Sequence, residues 1–281
     1  MRFSVIIPTI NRIDELLLML ASLQRQTFKD FEVLVIDQNE EEILKEKIKN
    51  YQDFFSIKQI RIQANGASNA RNVGIQYAKG EIITFPDDDC EFPDNFLEKI
   101  NGYFQTNEID GITVSTIDRN DGKPISILLS SKKQKINKKN ILKTVIEAGI
   151  IIKKNAIDNV LFDVNMGVGS TKTTYWSDEG PDFILNLINK GKTFYYCPQF
   201  KMFHPNPVKT YNDKTAMRSY RYGRGRGYFL KKHKFGLFSI SYYLIIYIFG
   251  MIKGVVFFNP QMIKYFKQGF QGRYEGYFQS K

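Results

Sequence analysis

Cysteine and histidine are scarce in this 281-residue chain, with two of each. Cys90 and Cys197 form no Cys-x-x-Cys pair, which excludes a cysteine-based zinc site and a disulfide scaffold and fits a reducing cytoplasm. No Gly-x-Gly-x-x-Gly follows the first apolar segment and no Walker loop occurs, so the two commonest phosphate cradles of α/β chains are missing. The N-terminus, Met1-Arg2-Phe3-Ser4-Val5-Ile6-Ile7-Pro8, is too short and too strand-like for a secretory leader, so the protein is expected to stay where it is made. Acids are nearly absent after residue 200. Residues 201–281 hold 15 Lys and Arg against two acids, a balance of +13, whereas residues 1–200 hold 25 bases against 27 acids. A near-neutral body joined to a basic tail implies a polyanionic partner, either an anionic membrane surface or nucleic acid.

What is present begins with alternating apolar and helical patterns. Strands are expected over 3–8, 31–37 and 57–62, and helices over 12–26, 40–51 and 68–78. The first helix carries Ile13, Leu16, Leu17, Leu20 and Leu23 at helical spacing. Lys79-Gly80 closes the third, with glycine just past its end, and Asn65-Gly66 is a turn before it. This succession predicts a mostly parallel sheet with helices on both faces, and such sheets bind ligands at the carboxyl ends of their strands. Polar residues punctuate three of those ends: Pro8-Thr9-Ile10-Asn11, Asp37-Gln38-Asn39 and Asp87-Asp88-Asp89.

The third end is an electrostatic problem. Three consecutive acids follow the buried run Ile82-Ile83-Thr84-Phe85, and like charges at a strand end repel. A divalent cation offsets that cost, and Asp87 and Asp89 face one side of an extended backbone. Hard oxygen ligands suit Mg²⁺ or Mn²⁺, which commonly accompany substrate phosphates. Taken in isolation the triplet reads first as a solvated acidic turn, and Asn11 can be a helix cap; the other strand ends tip the reading toward a ligand site.

Further along, 111–116, 150–153 and 192–197 read as strands and 130–140 as a Lys-rich loop. Residues 167–172 form a flexible segment ahead of Tyr175-Trp176, whose rings suit either core packing or stacking on a sugar. Ser177 can cap a helix through Asp178-Glu179-Gly180-Pro181-Asp182, because Pro181 fits only in a first turn. From Met202 the chain turns basic and aromatic. Gly-Arg alternation over 223–227 precedes Lys231-Lys232-His233-Lys234, and 237–258 is apolar, barely long enough to span a bilayer. Basic residues beside such a stretch also fit a helix lying in a membrane interface, and the Gly-Arg run by itself fits RNA binding.

The ordered blocks carry a resemblance. Ser4-Val5-Ile6-Ile7-Pro8-Thr9-x-Asn11-Arg12, Val35-Ile36-Asp37, Gly66-Ala67-Ser68-Asn69-Ala70-Arg71-Asn72-Val73-Gly74-Ile75 and Phe85-Pro86-Asp87-Asp88-Asp89 resemble, in order and spacing, family 2 glycosyltransferases with a GT-A-type fold. The likeness covers roughly residues 3–205. It implies a Rossmann-like catalytic domain over 1–205, and the basic, apolar composition of 206–281 makes that region an expected helical, membrane-associating appendage. The implied reaction moves a sugar, with inversion, from a nucleotide-diphosphate donor to a hydroxyl of a lipid-linked or polysaccharide acceptor, with Mn²⁺ or Mg²⁺ as cofactor.

Carried onto this chain, the resemblance assigns Pro8, Thr9, Asn11, Asp37, Arg71, Asp87 and Asp88 to the donor nucleotide and Asp89 to the metal. Asp37 would contact a uracil, Arg71 the base or diphosphate and Asp87 the ribose. His204 stands where some members place a histidine near the metal, although a lone histidine after a strand is often structural. Three acids compete as the base for the acceptor hydroxyl: Glu179, then Asp178, then Asp182. Gly180 replaces an acid common in the family, and acids in a first helical turn also complement the helix dipole. The implied place of action is the cytoplasmic face of the cell membrane, as a peripheral or monotopic protein, with nucleic acid as the lesser partner. Two other classes remain: a nucleotidyltransferase, against which the absent Gly-rich loop counts, and a non-catalytic membrane or RNA adaptor.

Overall fold

The protein is described here from a computed structural model covering residues 1–63, 66–125, 129–170, 173–206 and 210–280. Asn65 of the expected turn and Thr171-Lys172 of the 167–172 segment lie outside the described residues. The chain divides into two compact units, the first made of residues 1–65, 69–162 and 180–206, the second of residues 66–68, 163–179 and 207–281. Two internal segments, 66–68 and 163–179, therefore group with the residues after the boundary expected at 205.

The first unit is built on a sheet in the order β3-β2-β1-β4-β7-β5-β8-β6. β1 (Phe3–Thr9), β2 (Phe31–Asp37), β3 (Ser56–Arg61) and β4 (Ile82–Thr84) are mutually parallel. β7 (Ile150–Lys153) runs antiparallel between β4 and β5 (Gly111–Ile117). β8 (Phe194–Phe203) is parallel to β5, and the two-residue β6 (Gln134–Lys135) closes the edge. β1 and β2 are buried along their whole length, as continuous apolar runs in parallel sheets usually are.

Alternation along β1 sends Phe3, Val5 and Ile7 to one face, where they join Leu16, Leu20 and Leu23 of α1 (Ile13–Gln24) and Ile100 of α4 (Phe96–Thr106) in one core. Ile6 points to the other face and lies against Gly74 of α3 (Ala67–Tyr77), where any Cβ would collide with it. On that side Phe183 of α5 (Glu179–Asn189) stacks on Phe162 at 4.2 Å. The expected mostly parallel sheet with helices on both faces is present.

The local differences have identifiable causes. The charged helix expected over 40–51 shrinks to α2 (Lys45–Lys49), anchored only by the buried Leu44 and Ile48. β4 stops at Thr84, and the acidic triplet lies in a turn in which the Cys90 N–H donates to the Asp87 carbonyl (3.1 Å). β8 continues past Pro198 because its register against β5 slips between Val114 and Ser115, a bulge that absorbs the missing donor. α4 occupies a stretch that the sequence pattern leaves unassigned.

The second unit contains α6 (Asp213–Lys232), α7 (Leu237–Val256) and α8 (Pro260–Phe278). α6 opens with a capping box, in which Asn212 and Thr215 exchange side-chain to backbone hydrogen bonds. The Gly-Arg run is the packing face of this helix. A Cβ at Gly223 would stand 2.7 Å from the Gly269 carbonyl, and one at Gly227 2.6 Å from the Tyr277 nitrogen, so α6 and α8 meet backbone to backbone. The intervening arginines cover aromatic rings: Arg221 lies 4.1 Å over Trp176 and Arg226 4.9 Å over Tyr243.

Candidate active site at the strand ends

The polar strand ends of the first unit converge because the register aligns them: Thr9 pairs with Asp37, and Asp37 with Arg61. The turn after β4 brings the acids to the same edge. Each carboxylate there meets a cation. Arg71 Nη2 donates to Asp87 Oδ1 at 2.7 Å, while Arg12 bridges Asp88 Oδ1 and Asp89 Oδ2, both at 2.9 Å. Thr9 Oγ1 donates to Asp88 Oδ2 at 2.9 Å. The repulsion assigned from sequence to a missing metal is therefore met in part by the protein's own guanidinium groups. Arg12, which the sequence places only in a motif, is a member of this cluster.

The three acids differ in character. Burial raises Asp87, but His204 and Arg71 outweigh it and hold the carboxyl down at about 2. Burial dominates at Asp88 and pushes it up to about 7 against the pull of Arg12. Asp88 thus ties the turn to the end of β1. Asp89 Oδ1 is buried and accepts no hydrogen bond among the described residues, and His204 Nε2 stands 3.4 Å away.

His204 follows β8 directly, its N–H bound to the Ile117 carbonyl. Its Nδ1 lies 2.7 Å from the Pro205 carbonyl, which can only accept, so the proton belongs on Nδ1 and Nε2 faces Asp87 (3.7 Å) and Asp89. Burial lowers the affinity of this ring for a second proton, but the two carboxylates raise it to about 8. Asp89, Cys90 and His204 each present a donor atom within 4.8 Å of the others. Burial drives the Cys90 thiol well above its ordinary range, so it stays protonated and is a poor ligand. The orphaned carboxylate oxygen beside an imidazole nitrogen is a mixed oxygen–nitrogen donor set that suits a divalent ion such as Mn²⁺ better than Mg²⁺, which prefers oxygen ligands.

Asp37 is fully buried at the end of β2. Its Oδ1 accepts from the Asn39 backbone (2.9 Å) and side-chain amide (2.6 Å), and its Oδ2 from Gln59 Nε2 (2.7 Å). A cavity of about 390 Å³ adjoins it, lined by Gln38, Asn39, Glu40, Arg61, Ile62 and Gln63. Asn11 has a left-handed backbone (φ 55°) and is not the cap of α1; its N–H donates to Asn39 Oδ1 at 2.6 Å. Pro8 lies beside Ile36 in the same register. Gln59 and Arg61 escape a sequence reading because they lie on a separate strand that only the sheet brings beside Asp37.

The three candidate bases are distributed differently. Asp178 and Glu179 belong to the second unit, whereas Asp182 belongs to the first. Asp182 is fully buried and accepts from Asn186 Nδ2 at 3.2 Å. Asp178 has a left-handed backbone (φ 65°), and both its oxygens are taken by Arg226, at 2.7 and 2.9 Å. Ser177 does not cap α5; its hydroxyl donates to the Tyr222 carbonyl at 2.8 Å. Glu179 lies beside Gly167 (φ 97°), where a Cβ would come within 3.2 Å of Glu179 Oε1. Tyr175 stacks on Tyr228 at 4.3 Å, so both aromatic residues ahead of the acids pack against α6.

Comparison with known proteins gives a consistent result. The model of the family Glycosyl transferase family 2 matches residues 4–211. A GalNAc(5)-diNAcBac-PP-undecaprenol beta-1,3-glucosyltransferase of Campylobacter jejuni is 31% identical over 232 residues, 78% of this chain and 71% of that protein. The poly(ribitol-phosphate) beta-N-acetylglucosaminyltransferase TarP of Staphylococcus aureus is 27% identical over 165 residues, 57% of this chain but only 46% of that protein. Among solved structures, the mannosyltransferase PcManGT of Pyrobaculum calidifontis, in complex with GDP-Man and Mn²⁺, superposes with a TM-score of 0.66 at 13% identity. That match covers 100% of this chain and 88% of the other. TarS 1-349 of S. aureus in complex with UDP-GlcNAc gives 0.61 at 14% identity, covering 98% and 91%. At these identities the two structures share a fold with this chain.

Proposed function

The chain belongs to glycosyl transferase family 2 and has the GT-A-type fold, and from that premise we propose the reaction it performs. It moves a sugar, with inversion, from a nucleotide-diphosphate donor, a UDP-sugar in the first instance, to a hydroxyl of a lipid-linked or polysaccharide acceptor. The observation that carries this reading is the buried Asp89 oxygen left without a hydrogen bond among the described residues beside His204 Nε2, in a turn where Asp87 holds Arg71. Asp89 and His204 would hold Mn²⁺ or Mg²⁺, with Asp87 adjacent. Such an ion supplies positive charge to a departing diphosphate.

The chain's own residues divide the remaining work. Asp37 and the cavity beside it receive the base, with Pro8, Thr9 and Asn11 forming the adjoining end of β1. Asp87 contacts the ribose and pins Arg71, whose charge serves the diphosphate. Asp88 positions this edge by holding Thr9 and Arg12. Glu179 remains the first choice for the base that takes the acceptor proton: Arg226 occupies both oxygens of Asp178, while Glu179 and Asp182 are both buried, at 4% and 0% exposure. The place of action is the cytoplasmic face of a membrane, a reading supported by the basic tail and by the undecaprenol-linked substrate in the name of the Campylobacter relative.

A donor screen tests the proposal. UDP-, GDP- and dTDP-sugars are titrated into the protein with Mn²⁺ and again with chelator, following binding and nucleoside diphosphate release. Binding of one donor, strengthened by Mn²⁺ and lost in Asp89→Ala, is the expected result. No binding or turnover across the panel would sink the activity, and Mn²⁺-dependent affinity retained in Asp89→Ala would refute the ligand assignment.

A further inference from the structure

We propose that α7 is a monotopic membrane element that lies flat in an anionic lipid interface and does not cross the bilayer. This deepens the membrane-surface reading above and does not depend on which sugar is transferred. α7 is the one helix among the described residues long and apolar enough to cross a membrane. Its exposed side forms a stripe at alternating steps of four and three: Phe238, Tyr242, Ile245, Phe249, Ile252 and Val256. Phe238 is 87% exposed and Phe249 66%, and Phe258 just beyond the helix is 93% exposed. An apolar face running the length of a 20-residue helix exceeds the scattered apolar residues normal on soluble surfaces.

The opposite side of the helix determines its orientation. Gly250 lies against Phe266 and Gly254 against Ile263, while Arg273 sits 3.8 Å over the Tyr247 ring. α7 and α8 are therefore packed side by side along most of their length and must share one depth. Were α7 to cross, α8 would carry the exposed Lys264, Lys267 and Gln271 into hydrocarbon. Arg226 and its partner Asp178 would follow, because Arg226 covers Tyr243 of α7. A helix lying flat avoids both costs: it immerses only the apolar stripe and leaves α8 on the wet side.

The charge distribution identifies the lipid. Lys231, Lys232 and Lys234 immediately precede α7, and Lys253 lies near its end. With a regional balance of +13, this surface complements anionic headgroups rather than a neutral bilayer.

The test uses the full chain and two vesicle preparations, phosphatidylcholine alone and phosphatidylcholine with phosphatidylglycerol. Sedimentation should recover the protein at least about tenfold better on the anionic vesicles at low salt. Phe249→Asp combined with Ile252→Asp should abolish this while leaving circular dichroism and donor binding in solution unchanged. Depth is then read from single cysteines placed at Phe238, Phe249 and Val256, labelled with a fluorophore and quenched by brominated lipids; the native Cys90 and Cys197 are buried. Equal depths at the three sites support the flat helix, and a deepest centre with shallow ends overturns it. Failure to bind anionic vesicles also overturns it, as does a solution dimer that the double substitution dissociates while vesicles take up none. Donor binding is measured separately, so loss of the enzymatic reading is distinguishable from loss of this one.

Discussion

At the scale of single residues, the acidic triplet separates into three chemically different groups. Asp87 is held ionised by His204 and Arg71 against the effect of burial, Asp88 is pushed toward neutrality by burial, and Asp89 keeps one oxygen without a hydrogen bond among the described residues. His204 has a pH signature. Its folded value of about 8 exceeds the ordinary 6.5, so its charge stabilises the metal-free fold fully below 6.5 and that contribution fades as pH rises through 8. The difference in proton affinity between the folded and unfolded chain is worth about 2 kcal/mol. Urea unfolding in chelator at pH 6 and pH 9 should show the loss, and His204→Gln should flatten the difference. A second residue prediction concerns the buried pair. Arg226→Ala leaves the Asp178 carboxylate buried without its guanidinium partner, and should cost about 3–5 kcal/mol, as breaking a buried ion pair does. Asp178→Asn in the same background should recover much of that loss, a coupling that a double-mutant cycle by chemical unfolding measures directly.

At the scale of elements, helix packing depends on a pattern that resembles a nucleic-acid signature. The glycines of the Gly-Arg run let α6 approach α8, and the arginines lie over Trp176 and Tyr243 instead of facing solvent as a repeat. Gly227→Leu should therefore destabilise by about 3 kcal/mol or more, since overpacking meets backbone atoms that cannot yield. Gly102→Ala is the matched control. A Cβ there meets nothing within 4 Å, and alanine within α4 should stabilise by up to about 1 kcal/mol through helix propensity. Thermal unfolding of the two variants should move in opposite directions. The element boundaries follow the same logic. β1 and β2 are legible in the sequence because their apolar runs are bounded by polar residues on both sides, and β7 because its isoleucine run ends at Lys153-Lys154. A sequence reading cuts β8 short at Pro198, because a bulge, which is a property of two strands, lets it continue.

At the scale of the whole molecule, residues 163–179 are held by the C-terminal helices. Gly225 admits Ser177, with a Cβ position only 2.6 Å from the Ser177 nitrogen, the Trp176 N–H donates to the Arg221 carbonyl, and Lys232 Nζ bonds Asp163 at 2.7 Å. The tail is thus a support for the segment that ends at Glu179, in addition to its proposed role at a lipid surface. Expressing residues 1–206 alone removes every one of these partners. Limited proteolysis should then cut the truncated chain within 163–179 at least about tenfold faster than the full chain, and donor turnover should fall with it. Equal protection in both would show that the first unit orders this segment by itself.

The sequence by itself determined the periodicities, the family blocks and the charge division of the chain. Each is a local property: strand runs, a glycine after a helix, acids at a strand end and a tail with two acids against fifteen bases can be recognised without knowing what they touch. The donor edge is legible for the same reason, because parallel strands bring their carboxyl ends to one side. Tertiary structure decided the partners. Arg12 and Arg71 pair with acids that the sequence assigns to the donor nucleotide and the metal, and Gln59 and Arg61 reach Asp37 from a neighbouring strand. Arg226 claims Asp178 from 48 residues away, and α8 dictates which side of α7 stays exposed. Pairings over such separations follow from the free energy of packing whole elements, and a linear pattern carries no record of them.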